Sequence, residues 1–214
     1  MTWERAGLVV GGLVCLVVTP WFALAFFPAY GASGEVPPPW AEWIDWPTLI
    51  SGSTAVDTYN RYGVIFGVSL VVVALSLAVL ARRSTDSGSG VRRSWNVIAA
   101  GLGAVAVGSL VEYGFGSVVD ASYGFLIENL GFVVVIVGTV LLGVSLRREA
   151  GASRPVSAAI AASGLVGIII GILLVGHLPS GAAFVPPIAC VVFGFTGLPT
   201  PNTTRTSEPL PPRP

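Results

Sequence analysis

The chain has 214 residues, 53% of them hydrophobic and 10% charged, with a mean hydropathy of +0.81. Soluble domains carry about 25% charged residues, so this composition points to a membrane protein. Eleven basic residues balance eleven acidic ones, and the zero net charge gives no basic surface for nucleic acid.

Six apolar runs follow in chain order, each judged against the roughly 20 residues that cross the hydrocarbon. They cover residues 6–27, 59–81, 95–115, 123–146, 156–176 and 182–198. The last is the weakest, being shorter and carrying Pro186 and Pro187 near its start. The first could also be read as a signal peptide with Arg5 as its charged region, but its apolar stretch exceeds the usual h-region and it is read as a retained helix. The predicted fold is therefore all-α: a polytopic bundle of about six transmembrane helices in a single domain, residues 1–198. Residues 199–214 are rich in Pro, Thr and Ser and are expected to be a disordered tail.

All eleven basic residues are arginines, and ten of them fall in four segments. These are the N-terminus (Arg5), two connectors (Arg82, Arg83, Arg92, Arg93; then Arg147, Arg148, Arg154) and the tail (Arg205, Arg213). Six crossings put all four segments on one side, which the positive-inside rule assigns to the cytoplasm together with both termini. Only Arg61 lies on the other side. The arginine-only usage, with abundant Ala, Gly and Pro, matches GC-rich codons and suggests the plasma membrane of a prokaryote.

The outer segment 28–58 contains Trp40, Trp43 and Trp46, spaced by three, with Glu42 and Asp45 between them. A short helix with this spacing sets the indoles on one face, the ordinary signature of interfacial anchors. An aromatic ligand platform is the alternative.

Small residues recur every seven positions. The second helix has Gly67, Ala74 and Ala81, and the third has Ser94, Gly101 and Gly108. The fourth has Gly124, Gly131, Gly138 and Ser145, and the fifth has Ser157, Gly164 and Gly171. Such seams let helix backbones approach closely in lipid, where no hydrophobic drive brings helices together. They predict a tight bundle, or self-association and docking of other membrane subunits. Helices two and three also resemble helices four and five: Tyr62-Gly63 matches Tyr123-Gly124, and Arg82-Arg83 matches Arg147-Arg148. Both hairpins cross in the same sense, so the repeat is parallel.

Two carboxylates, Glu112 and Glu128, interrupt the apolar runs, and each costs at least about 2.5 kcal/mol to insert. Both follow the glycine seams, so they are expected to converge near the outer ends of helices three and four. Asn129 adjoins them, Asp120 lies in the loop above, and Tyr113 and Tyr123 flank them. Close carboxylates share a proton. This constellation is the candidate proton or cation site; its plainer reading is a neutral hydrogen bond across the bundle. His177, the only histidine, ends the fifth helix as an interfacial residue or an auxiliary pH-sensitive partner.

Cys15 and Cys190 lie in apolar runs and read as buried free thiols, and with one histidine they do not make a zinc site. No nucleophile motif, phosphate loop or cofactor signature is present, so neither catalysis nor a cofactor is expected. The sequence favours a structural or accessory membrane component, with a small proton- or cation-coupled transporter as the alternative.

Overall fold

A computed structural model describes residues 2–30, 55–83, 88–116, 118–149, 151–175 and 185–196. They form six helices: α1 (Trp3–Tyr30), α2 (Ala55–Arg83), α3 (Ser89–Ser109), α4 (Ala121–Glu149), α5 (Arg154–Val175) and α6 (Val185–Thr196). A π-helical turn, Leu110–Gly114, continues α3. The helices α1 to α4 are long and apolar enough to cross a membrane. The chain is thus an all-α, multi-pass membrane helix bundle.

Most helices outrun their apolar segments. α2 covers 55–83 where hydropathy marks 59–81, and α4 covers 121–149 where it marks 123–146. Hydropathy reports only the stretch in hydrocarbon, whereas backbone hydrogen bonding continues until water can take over the terminal amides. At 29 residues each, α2 and α4 are about 44 Å long, beyond the roughly 30 Å hydrocarbon core. The segment between the first two helices is accordingly shorter than the expected 28–58, since α1 reaches Tyr30 and α2 starts at Ala55.

The most extensive interface is α3 on α4, followed by α1 on α2. α2 also packs on α3, α4 on α5, and α6 mainly on α1 with a thin contact to α5. The order around the bundle is therefore α6, α1, α2, α3, α4, α5. Leu8, Leu70, Val73, Trp95, Leu102 and Val135 fill the interior, while Val10, Leu13, Val68, Leu75, Leu130 and Val137 point outward as a lipid-facing surface.

Glycine sets the α3–α4 spacing. A methyl group added to Gly101 would lie 2.8 Å from Val135 N and 2.9 Å from Gly131 O. One added to Gly131 would lie 2.6 Å from Val105 N and 2.8 Å from Gly101 O. Neither has room, so the two backbones touch directly. Five hydroxyls inside the helices are satisfied locally: Thr19, Ser69, Ser94, Thr139 and Ser163 each donate to a carbonyl three or four residues back.

At the arginine-bearing end two contacts tie helices together. Arg83, in the last turn of α2, pairs with the buried Glu4 of α1, and its guanidinium lies 6.0 Å from the Trp3 ring centroid. Glu149, the last residue of α4, accepts the backbone N–H of Gly90 at 3.0 and 3.1 Å and that of Val91 at 3.4 Å. It thereby caps the start of α3, whose own N-cap residue, Gly88, has no side chain to offer.

A candidate site between α3 and the start of α4

Gly108 and Gly124 bring the two carboxylates together. A methyl group on Gly108 would lie 2.5 Å from Glu128 N and 2.7 Å from Gly124 O. One on Gly124 would lie 2.5 Å from Glu112 N and 2.6 Å from Glu112 Cβ. The backbone of each glutamate therefore rests against a glycine of the facing helix. Glu128 has no exposed surface, and Glu112 is half-buried.

The carboxyl groups lie within interaction distance of each other. Ser109 Oγ donates to Glu128 Oε1 at 3.0 Å. Glu128 Oε2 and Glu112 Oε2 are buried and have no hydrogen-bond partner among the described residues. Leaving a buried polar atom unpaired costs about 1–3 kcal/mol, so two such oxygens on facing helices mark an unusual point in the bundle.

Glu112 and Tyr113 both lie in the π-helical turn. The wider turn inserts an extra residue, a distortion that recurs at functional sites. Tyr113 is buried, and its hydroxyl lies 3.4 Å from that of Tyr59 on α2. It also lies near both carboxyl groups. Phe22 of α1 completes an aromatic cluster, stacked on Tyr59 at 4.7 Å and edge-on to Tyr113 at 5.0 Å between centroids. Gly63 makes room for the Tyr113 ring, with which an added methyl group would collide. A chain of polar groups thus runs from Ser109 and Glu128 through Glu112 and Tyr113 to Tyr59.

Of the other residues singled out from sequence, the described ones take no part in this group. Asn129 turns its amide back on its own helix, donating to Phe125 O at 2.7 Å. Tyr123 is exposed. Asp120 is exposed and caps α4, its Oδ1 accepting the Ser122 N–H at 2.9 Å; that hydrogen bond holds its carboxyl below the ordinary aspartate range. Trp40, Trp43, Trp46, His177 and the tail 199–214 lie outside the described residues. Cys15 and Cys190 are buried free thiols, and no group of three or more potential metal ligands occurs among the described residues.

Sequence reasoning missed Ser109, Tyr59 and Phe22. Ser109 had a local signal, since it precedes Glu112 by three residues and shares its face. Tyr59 and Phe22 had none, because their roles arise only when α1 and α2 pack against the π turn.

An apolar cavity of about 290 Å³ lies further along the bundle, lined in part by Leu77, Trp95, Ile98, Val135 and Cys190. Val135 is seven residues from Glu128, about 10 Å along α4, and neither glutamate lines this cavity. No family model, curated protein or solved structure matches this chain.

Proposed function

We propose that this protein is a non-catalytic membrane component, crossing the bilayer six times, in which Glu112 and Glu128 clamp α3 to α4. In this reading the two carboxyl groups share a proton instead of carrying two charges, since like charges placed close together repel. The carrying observation is the backbone contact of Gly108 with Glu128 and of Gly124 with Glu112, which leaves no room for a substrate between the helices at this level. The parallel arrangement of the α2–α3 and α4–α5 hairpins belongs to this reading, as does a cytoplasmic arginine face. The outward faces of the bundle remain for lipid, other membrane subunits or a second copy of the chain.

A second reading has its own support. The polar chain from Ser109 to Tyr59, with two unpartnered carboxyl oxygens at a π turn, suits a proton or small-cation path. One experiment separates the two. Purified protein is placed in liposomes containing a pH-sensitive dye, and a membrane potential is imposed. The clamp reading expects no proton flux above that of empty liposomes. Flux that disappears in Glu128→Gln overturns it in favour of transport.

A further inference from the structure

We propose a phosphate-binding cleft between α4 and α5, at the membrane–water boundary on the arginine-bearing end, suited to an anionic phospholipid headgroup. The cleft has a volume of about 380 Å³ and is lined by Arg147 and Val144 of α4 and by Arg154, Ser157 and Ala161 of α5. It is a different site from the carboxyl pair, which lies at the opposite end of α4.

Three observations converge on an anion. Arg147, in the last turn of α4, and Arg154, the first residue of α5, line one cleft, and neither has an acidic partner among the described residues. Two arginines lining one cleft concentrate positive charge there, which a bound anion would offset. The nearest acidic residue in sequence, Glu149, is committed to the start of α3 through Gly90 and Val91.

Ser157 supplies the third observation. It lines the cleft, is 5% exposed, and its Oγ has no hydrogen-bond partner among the described residues. Ser94 and Ser163, by contrast, turn their hydroxyls back on their own helices. The Ser157 hydroxyl is a donor left over, one turn into α5, where the helix dipole also favours negative charge. The Oγ is itself buried, so a phosphate group bridging Arg147 and Arg154 would take it after a χ1 rotation toward the cleft. Ala161 and Val144 extend the cleft toward the hydrocarbon, where acyl chains would continue.

The test uses the full chain in nanodiscs and in detergent. Native mass spectrometry of protein carrying added phosphatidylglycerol, with phosphatidylcholine as the zwitterionic comparison, reads retained lipid. We expect preferential retention of phosphatidylglycerol. Removing both arginines (Arg147→Gln with Arg154→Gln) should weaken it about 30-fold, from roughly 1 kcal/mol per arginine. Ser157→Ala should cause a smaller loss and, as a small buried change, reports even if the double variant folds poorly. Arg92→Gln with Arg93→Gln removes the same charge from α3 outside the cleft and should leave retention unchanged. Titration with inorganic phosphate separates the sources: competition at millimolar concentration, lost in the cleft variants, identifies a soluble phosphate as the ligand of the same site. No preference by the wild-type protein, or equal loss in the cleft and α3 double variants, overturns the proposal.

Discussion

Glu128 has no exposed surface, and only one of its two carboxyl oxygens accepts a hydrogen bond, from Ser109. Replacement by Ala removes that acceptor, strands the Ser109 hydroxyl and opens a void, so it should cost about 2–4 kcal/mol. Replacement by Gln keeps the acceptor and removes the charge, and should stay within about 1 kcal/mol of wild type. Reversible unfolding in mixed micelles measures both, and equal losses would rule out the Ser109 bond as the stabilising element. Asp120 behaves differently because it is exposed. Its carboxyl is held below the ordinary range by the Ser122 N–H, so its contribution is present above the unfolded value of about 3.9 and is lost as pH falls through the lower folded value. Asp120→Ala should therefore speed amide exchange at Ser122 near neutral pH, and the difference from wild type should vanish in acid. A difference that persists below the folded value would show that the side-chain charge is not what caps α4.

At the scale of the helix, glycines differ by what they face. A methyl group on Gly108 would meet backbone atoms of α4, whereas one on Gly103 would find only Ala74 Cβ, at 4.0 Å. Gly108→Ala should force the helices apart at a cost of about 1–3 kcal/mol. Gly103→Ala should be neutral or stabilising by about 0.5–1 kcal/mol, because alanine favours the helix. Thermal unfolding in detergent compares the pair, and similar shifts for both would mean that close α3–α4 approach is not what holds the interface. This contrast was only half legible in the sequence. Periodicity placed Gly101, Gly108, Gly124 and Gly131 on helix faces, because helical geometry is local. It did not say that Gly12 meets Pro187, that Glu149 caps α3 or that Arg83 finds Glu4. Those pairings join helices far apart in sequence, and one chain without its fold carries no signal for them. The π turn was equally hidden: Leu110–Gly114 reads as ordinary helix, and in the fold the segment departs from it where it packs against α2 and α4.

For the whole molecule, the arginine pattern makes a prediction about sidedness. Single cysteines introduced as Ser51→Cys and Ser87→Cys flank α2, at positions outside the described residues. A membrane-impermeant maleimide should label the first from outside intact cells and the second only from the cytoplasmic face. Cys15 and Cys190 are buried at 0% and 5% exposure and should give little background. Labelling of both positions from one side would contradict the topology. Bundle order has a further consequence, for biogenesis. Helices α1 to α5 each pack on the next to emerge, so these contacts can form as the chain leaves the ribosome. α6 instead returns to α1, where Gly194 lies against Val9 and Gly12 against Pro187 and Val191. One flank of α1 therefore waits for α6 to be synthesised. During that interval it is the surface a membrane chaperone or insertase would hold, and a chain cut short before α6 would keep presenting it.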